Sequence, residues 1–207
     1  YAVFRNTFIY VAGATLFGIV LAGTLAWLVE RTDIPGKIWI YAGIPMTLAM
    51  PGMLQAMAYV LLLSPRIGFI NKLLETVGLG PINVYSLGGM VFVEGLRLVP
   101  TAFLMLVPLL RSMDPSLEEA AAMSGANPRR TLRKVTLRLM LPGILAVLIY
   151  QCMTALEVFE VPGILGLPAN IYVFATKIYS VIHAVDGIPP YGEANALAMI
   201  YVVIAIG

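Results

Sequence analysis

One cysteine, Cys152, and one histidine, His183, occur in 207 residues. The first excludes an intrachain disulfide, and the second leaves no histidine cluster to hold a metal ion. Charge is scarce as well. Asp, Glu, Lys and Arg make up 12% of the chain, against about one quarter in soluble domains. A net charge of +2 provides no basic surface for nucleic acid. No G-x-x-x-x-G-K-[ST] loop is present. Gly36-Lys37-Ile38 lacks both the upstream glycine spacing and the hydroxyl residue, so ATP chemistry is expected elsewhere. H-E-x-x-H is missing too. No catalytic set, metal site or cofactor is expected, and His183 reads as a loop residue. Signal peptide, internal repeat, low-complexity tract and the alternating pattern of an outer-membrane barrel are all absent.

Apolar sequence fills the space. It accounts for 60% of residues, with a mean hydropathy of +0.91, in runs of about 20 or more, enough to span a bilayer as a helix. The fold class is all-α, a polytopic transmembrane helical bundle. Five segments are expected as spans: Thr7–Val29, Ile38–Leu63, Leu87–Leu110, Leu139–Phe159, and one starting near Ala194. Arg31–Lys37 is a tight turn with Pro35 and Gly36 as breakers, and Ser64–Tyr85 a longer loop. Met113–Arg138 is a charged loop. Val161–Glu193 is rich in Pro and Gly, with Ile171–Ile182 expected as a short interfacial helix. One domain covers residues 1–207. Tyr1 replaces a starting Met and Gly207 ends an apolar run, so the chain reads as an internal fragment of a membrane protein with at least six spans.

Basic residues orient the bundle, because short cytoplasmic loops carry excess Lys and Arg. With residues 113–138 cytoplasmic, Arg31, Lys37, Arg111, Arg129, Arg130, Arg133, Lys134 and Arg138 share the inner side. Arg5, Arg66, Lys72 and Lys177 remain outside, and Arg97 lies within the membrane.

The charged loop has its own helical grammar. Asp114 is placed to cap a helix, Pro115 suits its first position, and Ser116 with Glu119 forms an alternative capping box. Glu118 and Glu119 sit near the positive end of the helix dipole. Ala120, Ala121 and Ala122 favour helix and carry almost no side chain. Gly125 stops the helix. Asn127 then caps a second helix with Pro128 at its first position, running through Arg129–Arg138 into the fourth span. A helix with a small-residue face can enter a groove on another protein, and a glycine corner would carry its motion to the span. An ordinary solvated loop obeying the positive-inside rule fits the spacing equally well.

Glu119-Ala120-Ala121-x3-Gly125, followed by a basic helix with Val135-Thr136-Leu137, resembles the EAA loop of permease subunits in binding-protein-dependent ABC importers of the type I fold. Arg138 stands where that family usually has Pro, and Pro142 matches a second one. Asn6-Thr7, Arg31-Thr32-x-x-Pro35-Gly36, Leu156–Gly166 and Ala175–Tyr179 extend the resemblance, the last two toward the ferric iron, polyamine, thiamine and phosphonate branch, with iron-type members nearest. The resemblance implies several things. Glu118, Glu119, Ala120, Ala121, Gly125, Asn127 and Pro128 couple the chain to cytoplasmic ATPase subunits. An extracytoplasmic solute-binding protein delivers the cargo, and a second permease half completes the path. The location is the bacterial inner membrane, and ferric iron leads as cargo over polyamine, thiamine and aminophosphonate.

Other residues admit two readings. Glu94 and Arg97, one turn apart inside the third span, either line a transport path or form a structural ion pair. Glu157 and Glu160, near the outer end of the fourth span, either attract a cationic cargo or serve as an interfacial anchor or a contact with a solute-binding protein. Pro100, Pro108 and Pro142 can kink spans. Trp27, Trp39, Tyr85 and Tyr201 fit interfacial belts. Gly13, Gly18 and Gly23 recur every five residues, which does not hold one helical face, so no G-x-x-x-G motif is assigned. An ATPase-independent carrier or channel and an intramembrane enzyme are the rival readings.

Overall fold

A computed structural model describes residues 1–183 and 190–206. Residues 184–189 of the Val161–Glu193 segment and Gly207 lie outside the described residues. Every regular element among those described is helical. α1 spans Ala2–Arg31 and α5 spans Leu87–Arg111. α7 (Pro128–Thr131), a π turn (Leu132–Thr136) and α8 (Leu137–Glu157) run together as one helix, Pro128–Glu157. Each of these three is long and apolar enough to cross a bilayer.

α1 packs along α5 for most of its length, and small side chains explain how. Ala14, Gly18, Ala22 and Ala26 recur every fourth residue and are buried. This is the small-xxx-small pattern that lets membrane helices approach closely. A Cβ built on Gly18 would lie 3.0 Å from the Gly95 carbonyl oxygen, and one on Gly95 would lie 2.5 Å from Phe17 Cδ1 and 3.1 Å from the Ala14 carbonyl oxygen. The five-residue spacing of Gly13, Gly18 and Gly23 concealed this stripe, because alanines fill the intervening turns.

Two apolar clusters stack along the bundle. One gathers Tyr10, Ala14, Ala56, Met90, Val93, Ala155 and Leu165. The other gathers Ala22, Ala26, Phe103, Leu106, Leu110, Met140 and Val147. Large exposed residues such as Phe8, Leu16, Val20, Leu104 and Ile149 cover the outer faces, where lipid is the solvent.

The second expected span is broken. α2 (Lys37–Met46) and a 3₁₀ turn (Thr47–Ala49) meet α3 (Gly52–Leu63) at 106°. Pro51 disfavours helix at the residue before it, and Met50 is extended at φ −82°, ψ 124°. The Ser64–Tyr85 loop contains a helix of its own, α4 (Phe69–Thr76). Buried Asn71 ties that loop together, donating to the Leu63 and Ile82 carbonyls at 2.9 and 2.8 Å and accepting from the Ile82 N–H at 2.8 Å.

The short helix expected within Ile171–Ile182 appears as α9 (Phe174–Ile182), set at 70° to the turns of Pro162–Ala169. Counting each bent pair as one span brings the total to five among the described residues, but the fifth is Pro162–Ile182, expected as a loop with an interfacial helix, and not the segment expected to start near Ala194. α10 (Tyr191–Ile206) carries a shorter apolar stretch, Ala194–Val203. Thr7 Oγ1 accepts from the Phe174 N–H at 3.0 Å, and Asn6 Nδ2 donates to the Tyr172 carbonyl at 3.3 Å. These bonds fasten the start of α9 to the start of α1.

The α1–α5 seam yields a paired test. Gly95→Ala is expected to cost roughly 1–3 kcal/mol by overpacking. Gly43→Ala, in α2 where an added Cβ meets nothing within 4 Å, should be neutral or stabilising by roughly 0.5–1 kcal/mol. Thermal unfolding of the two variants in detergent checks both signs.

Candidate functional site

The charged loop lies at the end of the bundle where α1 and α5 finish. Asp114 starts it, accepting from the Ser116 N–H at 2.9 Å. That bond holds the Asp114 carboxyl below the usual carboxylate range. α6 (Ser116–Met123) follows, and the Ser116–Glu119 capping box does not form, because Asp114 already takes the free N–H. At the other end the Ala126 N–H reaches the Ala121 carbonyl at 3.0 Å and the Gly125 N–H reaches the Ala122 carbonyl at 2.9 Å. Gly125 sits at φ +79°. Together these form a Schellman stop, which needs a left-handed residue just past the helix. Asn127 Oδ1 then accepts from the Arg130 N–H at 2.8 Å, with Pro128 at the first helical position. The glycine corner and the restarted helix are both as expected.

The neighbouring glutamates part company. Glu119 and Ala120 face outward and are exposed, Ala121 is half-buried, and Gly125, Asn127 and Pro128 are exposed at the corner. Glu118 turns inward. Its Oε1 accepts from Thr136 Oγ1 at 2.6 Å, and its Oε2 stands 3.1 Å from Arg31 Nε. The Arg31 contact is a charge pairing without hydrogen-bond alignment. Arg31 Nη2 also donates to the Leu110 carbonyl at 2.9 Å, placing a cation on the negative end of α5. Beside this pair, Arg111 Nε donates to Glu30 Oε1 at 2.7 Å and lies 5.1 Å over the Tyr41 ring, while the Tyr41 hydroxyl donates to Glu30. A cleft of ≈ 260 Å³ opens between α6 and the spans, lined by Trp27, Arg31, Glu118, Ala122 and Thr136 among others.

Sequence reasoning missed Arg31 and Thr136 as partners of the loop. It also missed the exposed Leu117 and Met123, at 46% and 91% exposure, which give α6 an apolar component beside Glu119. The one available signal was a charged Glu30-Arg31 pair closing an apolar span.

A second polar group lies inside the bundle. Glu94 is fully buried, and Arg97 Nε donates to both its oxygens at 3.1 Å while Nη2 donates to Oε1 at 2.6 Å. The Tyr10 hydroxyl is buried near this carboxylate without an aligned hydrogen bond. Glu160 is half-buried, and its Oε1 lies 3.4 Å from where a Cβ on Gly52 would sit, with Arg97 Cδ 3.9 Å from that same point. Gly52 therefore lets Glu160 and Arg97 converge on the first turn of α3. Buried Gln151 on α8 ties that helix to α5 nearby, its Nε2 donating to the Leu98 carbonyl at 3.0 Å. Glu157 is exposed and stands apart from the group. The structure thus brings Glu94, Arg97 and Glu160 together and leaves Glu157 out, while Tyr10 and Gln151 had escaped notice.

Known proteins resemble the chain over nearly its whole length. It is 29% identical over 204 residues to the inner membrane ABC transporter permease protein YdcU of Escherichia coli, covering 91% of this chain and 64% of that one. It is 27% identical over 168 residues to the putative ferric transport system permease protein FbpB 1 of Haemophilus influenzae, covering 80% and 26%. The molybdenum transport system permease protein ModB of Escherichia coli matches at 27% over 196 residues, covering 93% and 82%. The chain thus spans less than two thirds of YdcU and about a quarter of FbpB 1. Among solved structures, a bacterial ABC transporter involved in the import of the acidic polysaccharide alginate superposes with a TM-score of 0.80 at 21% identity, covering 99% of this chain and 74% of that one. The likeness in fold agrees with the bundle described above. Residues 14–207 match the model of a family described as binding-protein-dependent transport system inner membrane component, and the chain belongs to that family.

Proposed function

We propose that the chain is the transmembrane permease domain of an ATP-driven importer, moving cargo by alternating access, with residues 113–138 as its cytoplasmic coupling loop. The observation that carries this reading is the exposed α6 surface. Glu119, Ala120, Leu117 and Met123 offer a small, partly apolar face with one carboxylate, on a helix ended by a Schellman corner that leads through Gly125–Asn127 into a span. Such a face fits a groove on a cytoplasmic ATPase. Closing of the ATPase pair would move α6, and the spans joined to it would open the bundle outward. An extracytoplasmic solute-binding protein would deliver cargo to the outer loops, and a second permease half would complete the path.

Glu94, Arg97 and Glu160 are assigned to that path. Glu94 is committed to Arg97, which leaves Glu160 as the carboxylate able to meet a cationic cargo. Ferric iron is the first cargo proposed, on the strength of the Leu156–Gly166 segment and of relatives named for ferric transport. Relatives named for molybdenum and for trehalose/maltose are at comparable distance, so the deciding experiment presents all classes. The full-length protein is reconstituted in nanodiscs with its genomically adjacent ATPase and solute-binding protein. Hydrolysis is recorded with ferric iron, spermidine, thiamine, aminoethylphosphonate, molybdate and maltose in turn. Stimulation by one cargo supports the importer reading and names the cargo. Absence of ATPase association returns the carrier or enzyme readings.

An added Cβ at Gly125 meets open space, yet the backbone there is left-handed. Gly125→Asn should therefore retain coupling, because Asn tolerates that region. Gly125→Trp and Glu119→Lys, which change the outward face, should each lower cargo transport roughly tenfold or more, about 1.4 kcal/mol, with the permease still folded. Normal transport by Gly125→Trp would overturn the docking assignment.

Within the membrane, Arg97→Met leaves Glu94 buried and uncompensated, a loss of roughly 3–5 kcal/mol. The Glu94→Gln, Arg97→Met double variant should regain most of it in detergent melts. Glu160→Gln should keep stability within roughly 0.5 kcal/mol and raise the KM for a cationic cargo; an unchanged KM would remove Glu160 from the path.

A further inference from the structure

The structure assigns Arg31 as a positioning residue that makes α6 move with α1 and α5, acting through Glu118. This inference rests on the importer reading. α6 has only eight residues, and its backbone leaves it by two turns, Ser112–Pro115 and Gly125–Asn127. Turns of this kind bend easily, so a push on α6 would be absorbed at both ends unless side chains stiffen the joint.

Glu118 supplies that stiffening, with 20% of its side chain exposed. One oxygen takes the Thr136 hydroxyl, within the π turn that leads into α8. The other faces the Arg31 guanidinium, whose side chain is 14% exposed and whose second arm holds the Leu110 carbonyl in the last turn of α5. Partial burial strengthens the pairing, because low dielectric weakens screening. The consequence is a route for force that bypasses the glycine corner. Displacement of α6 reaches the ends of α1 and α5 through Arg31 and the π turn through Thr136, and a π turn is a local irregularity frequent at functional sites. Glu118 then faces the spans while Glu119 faces the partner, so the two adjacent carboxylates divide the work.

The test uses the full-length complex in nanodiscs and the cargo that stimulates hydrolysis among the six named above. The readout is cargo moved per ATP hydrolysed. Arg31→Met and Glu118→Met should each lower this ratio roughly fivefold or more, with hydrolysis continuing. The double variant should be no worse than Glu118→Met, since that single change already removes the Arg31 and Thr136 contacts of α6. A merely structural role would lower melting temperature, hydrolysis and transport together and leave the ratio unchanged. An unchanged ratio in Arg31→Met, or independent losses that multiply in the double variant, overturns the inference alone. If Arg31→Met does not assemble, Arg31→Lys decides. Its ammonium cannot reproduce the guanidinium's two-armed hold on Glu118 and Leu110, so the ratio should still fall, and a normal ratio overturns the inference. A wild-type complex in which no ATPase associates overturns the importer reading itself.

Discussion

Everything at the end of this bundle where α1 and α5 finish depends on the close contact between these two helices. Two helices of 30 and 25 residues, about 45 and 38 Å long, lie against each other through Ala14, Gly18, Ala22 and Ala26 on one side and Gly95 and Ala102 on the other. Membrane helices gain little from hydrophobic transfer between themselves, so packing and polar contacts must hold them. Backbones that approach this closely fix their relative height. That height sets Arg31 beside the Leu110 carbonyl and Glu30 beside Arg111. A bulkier seam would separate these partners and release the loop that Glu118 secures.

The same seam encloses the intramembrane polar group. Charges in such a place persist only when paired or facing a cavity. Glu94 meets that condition through three contacts from Arg97, while Gly52 leaves room for Arg97 and Glu160 at the first turn of α3 and Gly95 leaves room for α1 at Ala14 and Phe17. The 106° break between α2 and α3 therefore has a use. It brings the first turn of α3 to Glu160 and Arg97, and a straight second span would carry no helix start to that depth.

The first four span positions were legible because run length and apolarity are properties of the residues alone, whereas Pro162–Ile182, broken by Pro and Gly, read as a loop. Bends were not legible, because hydropathy is blind to direction. Pro51 and Gly52 were visible within Ile38–Leu63, yet only packing decides whether a Pro-Gly pair kinks a helix or breaks it. The α4 helix escaped because one buried Asn71, bonded at both ends of its loop, organises a stretch whose Pro and Gly content reads as coil. The glycine corner at 125 was legible throughout, since the left-handed stop, the Asn127 cap and Pro128 are local events written in adjacent residues.

The distinction between Glu118 and Glu119 shows where local reading ends. Successive residues on a helix point about 100° apart, so one of an adjacent pair can face the bundle while the other faces out. Helix propensity and dipole treat the two alike. What separates them is Arg31, 87 positions earlier in the chain, and Thr136, 18 positions later. A motif that groups neighbouring glutamates by spacing therefore joins residues with opposite surroundings. Glu119 keeps a solvated carboxylate available to a partner. Glu118 has exchanged water for a guanidinium and a hydroxyl, and a partner could recruit it only by first breaking the contacts that hold α6 to the spans.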